Sequence, residues 1–241
     1  MEPVATFDVW NTLLSIQAYY SETATRLAEL TSKPRSEVEE ALRRAYRRVK
    51  GLRASGKIPV SGIVEHCVGL LAVELGCPRE LVKRGFVQAA LSVEPAALAY
   101  PEAREALETL RGAGFALAAV SNVTFWPGYV TRLLLERAGL GGFFEAQAYA
   151  DEVGALKPDP SIFEKALEAV KEAGVEAEHA AHVGDDFRED FLGAMSLGVA
   201  AILVDRAGAL ERGAHLGGRG YVVRDLSEAA SLLTDLACRQ R

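Results

Sequence analysis

The sequence predicts an α/β fold class: a Rossmann-like parallel sheet with helices on both faces, carrying an inserted all-helical domain. Three observations predict it. Short apolar runs alternate with helical patterns over residues 1–14 and about 100–241, the alternation that builds a parallel sheet covered on both sides. The stretch from about 16 to 97 has helical periodicity and no convincing strand. Polar residues follow the apolar runs directly, at the edge where open parallel sheets bind ligands.

The strand candidates are Val4–Phe7, Ala116–Val120, Glu145–Ala150, Ala180–Val183, Ala200–Val204 and Tyr221–Val223. Three of them, Ala116–Val120, Ala200–Val204 and Tyr221–Val223, are continuous apolar runs, as strands buried on both faces should be. Helical patterns lie between them near 102–112, 127–138, 160–173, 188–197 and 226–238. Four more fill the insert, roughly 16–31, 36–53, 60–75 and 79–91. In the second of these, Ser36 and Glu39 have capping-box spacing, and Val38, Leu42, Tyr46, Val49 and Leu52 recur at helical intervals. Its acids, Glu37, Glu39 and Glu40, precede its bases, Arg43, Arg44, Arg47, Arg48 and Lys50, matching the helix dipole. Pro34 and Pro59 mark the breaks before the second and third helices. Residues 1–15 and 98–241 are thus expected to form the α/β core domain and 16–97 a helical cap domain. The insert leaves the sheet at its carboxyl edge, where it is placed to act as a lid.

A chain of 241 residues can bury a substantial core. Its formal net charge of -6 argues against nucleic acid or an acidic membrane as the main partner. No apolar run approaches the roughly 18–20 residues that span a bilayer, and the N-terminus lacks the pattern of a secretory signal. Cys67, Cys77 and Cys238 are odd in number and form no CxxC, so neither a disulfide framework nor a zinc site is indicated. A cytoplasmic protein is the expectation. Nothing in the sequence signals an oligomeric state.

Four polar clusters fall at strand ends. Asp8 follows the first strand, and Ser121 and Asn122 follow "ALAAV". Lys157, in "LKPDP", precedes a helix started by Asp159 and Pro160. Asp185, Asp186 and Asp190 follow the fourth strand. Singly, each has an ordinary reading as turn former, helix cap or solvated lysine. In one parallel sheet they share an edge, and together their chemistry is consistent. A carboxylate can act as a covalent nucleophile, and carboxylates from two strands, Asp8 and Asp185, make a hard oxygen site suited to Mg²⁺. A hydroxyl and helix N-termini can hold phosphate oxygens, and a lysine can neutralise charge that accumulates in a transition state.

With these residues in place the sequence resembles the haloacid dehalogenase superfamily. "FDVWNTL", "AVSNV", "LKPDPSIF" and "HVGDDFREDFLGA" match its four motifs in order, with the helical insert in the position of a type 1 cap. The resemblance implies Asp8 as nucleophile, Ser121 as the phosphate-binding hydroxyl and Lys157 as the motif lysine. It implies Asp8, Asp185, Asp190 and the Trp10 main-chain carbonyl as metal ligands, with Asp186 as a candidate to share that role. Thr12, Asn122 and Trp10 are the expected substrate-binding residues.

The departure is Trp10. Phosphatases of the superfamily usually carry a second Asp there as general acid, and an indole does not titrate in that range. General acid–base help is worth about 10²–10⁴-fold. Metal-free 2-haloacid dehalogenases carry an aromatic at this position, since halide leaves without a proton, but they lack the Gly-Asp-Asp metal site kept here. The resemblance therefore implies a Mg²⁺-dependent phosphatase for small anionic substrates with good leaving groups. A 2-haloacid dehalogenase and a non-catalytic phospho-ligand or partner-binding module are the alternatives. Three features of the insert are open to two readings. Tyr19 and Tyr20 either line the site or pack, Arg43–Lys50 either attracts an anion or is a solvated face, and Glu65 with His66 either replaces the missing acid or sits at the surface.

Overall fold

The computed structural model of the chain describes residues 2–175, 177–213 and 219–239. Among the described residues six strands, β1 (Glu2–Phe7), β2 (Ala116–Ser121), β3 (Ala146–Tyr149), β4 (Ala177–Gly184), β5 (Ala200–Val204) and β6 (Gly220–Val223), form one sheet. Its order is β3-β2-β1-β4-β5-β6 and every neighbouring pair is parallel. Each expected strand is present, with ends shifted by a few residues at most. The order reverses on either side of β1, so the first strand is the topological switch point where such sheets bind ligands. Phe7 lies opposite Ala119 on β2 and Val183 on β4, and Ser121 lies opposite Tyr149. That register brings the residues following β1, β2 and β4 to one edge.

The helices are α1 (Ile16–Thr31), α2 (Arg35–Ala54), α3 (Ile63–Leu75), α4 (Arg79–Ser92), α5 (Pro95–Leu98), α6 (Ala103–Gly112), α7 (Gly128–Arg137), α8 (Ala150–Val153), α9 (Pro160–Glu172), α10 (Gly193–Ser196) and α11 (Leu226–Arg239). Side chains alternate faces along a strand, and β1 shows it. Val4 packs with Ala116, Ala118 and Val170 of α9, whereas Ala5 and Phe7 belong to the cluster holding Leu107, Leu110, Ala229 and Leu233 of α6 and α11. Both faces are therefore covered.

Two local expectations are corrected. Ser36 and Glu39 form no capping box. Pro34, extended at φ -57 and ψ 136, is the N-cap of α2, so Ser36 falls inside the first turn and no side chain caps the helix. Glu39 instead accepts from Arg35 Nε at 2.8 Å. The single helix expected over 188–197 is a π-helical turn, Phe187–Leu192, followed by α10. The N–H of Phe191 reaches back to the carbonyl of Asp186 at 3.2 Å, the five-residue spacing of a π turn, and such turns often mark functional sites.

Helices α1 to α4 lie between β1 and β2 in sequence. The chain leaves and re-enters through two crossings that pair with each other. Ser15 N–H donates to Leu98 O at 2.8 Å, and Tyr100 N–H to Leu13 O at 3.0 Å. One apolar cluster runs continuously from the sheet residue Phe7 through Trp10 and Trp126 to Tyr19 and Phe86 of the insert.

Candidate active site

Asp8 is placed by the backbone. Its N–H donates to Val183 O at 2.8 Å, one step beyond the β1–β4 ladder, and Val9 O accepts from Leu13 and Leu14 in the turn that follows. Asn11 carries this turn at φ 62, a conformation asparagine tolerates better than most residues. Thr12 Oγ1 donates weakly to Asp8 Oδ2 at 3.4 Å.

Lys157 reaches Asp8 from the loop between α8 and α9. Its ammonium donates to Asp8 Oδ1 at 2.5 Å, Asp190 Oδ1 at 2.6 Å and Val120 O at 2.8 Å, and the side chain is 1% exposed. Two buried carboxylates thus share one ammonium, unequally. Burial opposes ionisation of Asp190, but the Lys157 charge and the His182 hydrogen bond outweigh it and hold its carboxyl well below the usual range. Burial pushes Asp8 up to about 7, against the attraction of Lys157 and with added repulsion from Asp190. Burial would lower the Lys157 pKa, yet the charges of Asp190 and Asp8 raise it, so the ammonium stays charged.

Asp190 is held on three sides. Besides Lys157, its Oδ1 meets His182 Nε2 at 3.2 Å, and its Oδ2 accepts the Asp186 N–H at 3.0 Å. His182 Nδ1 lies 2.8 Å from Thr6 Oγ1. Gly184 makes room for this carboxyl, since a Cβ there would lie 2.3 Å from Asp190 Cγ. The π turn serves the same arrangement by turning Asp190 inward.

Asp185 completes an acidic cluster. Carboxylate oxygens of Asp8, Asp185 and Asp190 lie within 4.8 Å of one another. Burial, then repulsion from Asp8 and Asp190, pushes Asp185 up to about 8. When ionised, the three carboxylates outweigh the one ammonium, and the donors are hard oxygens. This set fits a divalent cation of the Mg²⁺ type. Asp186 is not part of it. Its carboxylate caps the π turn through Arg188 N–H (2.9 Å) and Glu189 N–H (2.8 Å) and accepts from Lys50 at 2.6 Å.

A cavity of about 50 Å³ adjoins these groups, with Asp8, Trp10, Ser121, Asn122, Asp185 and Arg53 among its lining residues. Ser121 Oγ donates only to Asn122 O, at 3.3 Å. The Asn122 amide is already committed: Oδ1 accepts from Lys157 N–H at 2.8 Å, and Nδ2 donates to Lys157 O and Glu189 Oε2. It holds the lysine loop in place. Sequence reasoning missed Arg53, His182 and Glu189. Arg53 donates to Val123 O and to Thr124 Oγ1, and Lys50 reaches Asp186 and Glu189 at 2.6 and 3.1 Å. The end of the basic run on α2 therefore grips the core, whereas Arg43 and Arg44 pair with Glu40 and Glu74 on the exposed side. The sequence signal was that run itself.

Trp10 packs rather than titrates. Its ring stacks on Tyr19 at 5.5 Å and meets Trp126 edge-on at 5.0 Å, and its buried Nε1 has no hydrogen-bond partner among the described residues. Tyr19 donates to Phe86 O at 2.9 Å, and Tyr20 packs on Tyr46 and Trp126. Packing is thus the role of both tyrosines. Glu65 pairs with Lys83 at 2.6 Å, and His66 is exposed. Glu65 lines a separate cavity of about 690 Å³ beside Phe125, Trp126 and Tyr129. Neither residue of that pair lines the cavity beside Asp8 in this arrangement. Trp10→Phe removes an orphan donor, worth about 1–3 kcal/mol, while losing some packed volume. The expected net change in unfolding free energy, read by urea denaturation, is within about 1 kcal/mol of zero.

The chain is similar to known proteins in sequence and in fold. The chain is 31% identical over 140 residues to a glyceraldehyde 3-phosphate phosphatase of Methanothermobacter thermautotrophicus, covering 56% of this chain and 58% of that one. It is 43% identical over 107 residues to a phosphoserine phosphatase of Thermus thermophilus, covering 44% and 41%. The aligned region thus spans about half the length of these curated relatives. A crystal structure of a HAD phosphatase from Thermococcus onnurineus superposes with a TM-score of 0.64 at 27% identity, over 96% of this chain and 97% of that one. Residues 3–198 match the model of the haloacid dehalogenase-like hydrolases. With that match running from β1 through the acidic cluster, the chain belongs to the haloacid dehalogenase-like hydrolase family.

Proposed function

We propose that the protein is a Mg²⁺-dependent phosphatase of small phosphorylated metabolites, working through Asp8 as covalent nucleophile in a cytoplasmic setting. The observation that carries this reading is the juxtaposition of Asp8, Lys157, Asp185 and Asp190 at the carboxyl edge of the sheet. The phosphatases among its relatives support the choice of phosphoester over haloacid. Asp8, Asp185, Asp190 and the Trp10 carbonyl would hold the cation, which when bound neutralises charge on the phosphoryl oxygens.

In this reading an Asp8 oxygen attacks phosphorus, and the bond to the leaving oxygen breaks. Water then attacks the aspartyl-phosphate and releases phosphate, restoring Asp8. Lys157 fixes the attacking carboxylate and offsets its charge. Ser121, which lines the cavity, would turn its hydroxyl from Asn122 O to donate to a phosphoryl oxygen. Trp10 supplies no proton, so aryl and acyl phosphates, whose leaving groups need none, should react faster than alkyl phosphates. The cavity beside Asp8 has room for about one or two water-sized groups. The larger substrate must therefore enter with the insert, residues 16–97, swung away as a lid.

The test is hydrolysis of p-nitrophenyl phosphate and acetyl phosphate with Mg²⁺ and with EDTA, beside Asp8→Asn. Turnover that needs Mg²⁺ and falls at least about 10³-fold in Asp8→Asn is expected. Turnover unaffected by EDTA would overturn the reading, and halide release from 2-chloropropionate in EDTA would replace it with the dehalogenase. Tight phosphate binding without turnover would make the protein a binding module.

A further inference from the structure

We propose that Arg206 is a positioning residue that staples the two chain crossings of the insert to each other and to the loop carrying Asp8. The inference rests on the reading of Asp8 as nucleophile and goes beyond it. Arg206 follows β5 and touches neither Asp8 nor the cavity beside it. Its guanidinium reaches four groups. Nε donates to Asn11 O at 3.2 Å and Nη2 to Thr12 O at 2.9 Å. Nη1 pairs with Glu102 at 2.5 Å, and the guanidinium carbon lies 3.6 Å over the Tyr100 ring.

These partners come from two segments. Asn11 and Thr12 belong to the outgoing crossing, between Asp8 and α1. Tyr100 and Glu102 belong to the returning one, between α5 and α6. The crossings already pair through Ser15–Leu98 and Leu13–Tyr100 backbone bonds. Arg206 adds a tie from a third segment. It holds the carbonyls of Thr12 and of the left-handed Asn11, in the turn that begins at the nucleophile and includes Trp10. A swing of the insert about these crossings would therefore load the Asp8 turn through this side chain as well as through the backbone bonds.

Arginine suits the task and lysine does not. A planar fork with five donors can serve two carbonyls and a carboxylate while its face stacks on an aromatic ring, and an ammonium can do one or two of these at once. A nucleophile misplaced by about 1 Å costs on the order of 10²-fold in rate.

The experiment compares Arg206→Ala and Arg206→Lys with the parent. The readouts are kcat and KM for acetyl phosphate and p-nitrophenyl phosphate, thermal midpoint, and acrylamide quenching of tryptophan fluorescence. Both tryptophans of the chain, Trp10 and Trp126, are buried in the aromatic cluster shared with Tyr19 and Phe86 of the insert. Opening of that seam raises quenching. The expected result for Arg206→Ala is kcat lowered about 10–100-fold with KM changed less, increased quenching, and partial recovery of kcat on adding guanidinium. Arg206→Lys should fall between parent and alanine, and it decides the matter if the alanine variant does not fold. Unchanged kcat, or unchanged quenching, would overturn the proposal even if the thermal midpoint falls, since that is what a structural role alone produces. Activity that survives Asp8→Asn would refute the nucleophile instead. In that case, or without turnover in the parent, quenching alone decides the staple.

Discussion

Lys157→Met is expected to destabilise the protein by about 3–5 kcal/mol and to abolish measurable turnover. The ammonium is the only cation in contact with both Asp8 and Asp190 among the described residues. Methionine keeps most of the volume, so the loss is not a cavity effect. Two buried carboxylates are left with one positive charge fewer between them, the case in which breaking a buried pair is most damaging. Both then hold their protons to higher pH. A carboxyl whose folded pKa rises above the unfolded value contributes stability that is full below the unfolded pKa and is lost as pH rises through the folded one. The cost of Lys157→Met should therefore be smallest near pH 5 and grow toward pH 8. Urea denaturation at the two pH values checks it. An equal cost at both would mean that the carboxylates do not depend on this lysine.

The second large effect concerns Mg²⁺ and pH together. Asp8 is pushed up to about 7 and Asp185 to about 8, mainly by burial. Both folded values exceed the ordinary aspartate value of 3.8, so each contribution to stability is lost as pH rises through its folded pKa. Asp190 titrates far below this range and adds no slope to it. His182, whose pKa burial lowers, has the opposite sign. Its penalty appears when the unfolded imidazole protonates, below about pH 6.5. The clean window is therefore about pH 6.5–8.5. In EDTA the thermal midpoint should fall by several degrees across it. Saturating Mg²⁺ should raise the midpoint more at the alkaline end, since a cation bound only by the folded state stabilises it by mass action and binds ionised carboxylates. A midpoint indifferent to Mg²⁺ at both ends would remove the metal from the account.

Much of this site could be read from the chain because the strands themselves advertise it. "ALAAV" and "AAILV" are continuous apolar runs that a parallel sheet buries on both faces, and the polar residue that ends such a run must lie at the sheet edge. Asp8, Ser121 and Asp185 were legible for that reason. Lys157 was legible through the Lys-Pro-Asp-Pro that starts α9. What escaped reading was set by contacts between segments far apart in sequence. Lys50 meets Asp186 across 136 positions, and nothing in the periodicity of α2 says that its last bases turn to the core while its middle ones face outward. His182 looked like one more strand residue, because only the fold shows that Asp190 comes back to meet it. The failed capping box has a local cause: Ser36 and Glu39 had the right spacing, but Pro34 begins the helix earlier and draws both into its first turns.

The contacts between the insert and the rest of the chain bear on the proposed entry of substrate. Trp10 and Trp126 belong to loops after β1 and β2, whereas Tyr19 and Phe86 come from the insert, and all four rings pack together. These ring contacts involve no charged group. Lys50 and Arg53 add polar ties at the far end of α2. In the proposed phosphatase a substrate would have to compete with both sets of contacts, which would favour compact phosphoesters over bulky ones.

The central claim is that Asp8 forms the covalent intermediate, and mass spectrometry of protein quenched in acid during turnover of acetyl phosphate with Mg²⁺ tests it most directly. The account predicts one phosphoryl group on the peptide that carries Asp8, lost in EDTA and in Asp8→Asn. Rapid Mg²⁺-dependent turnover with that peptide unmodified, and undiminished in Asp8→Asn, would contradict it.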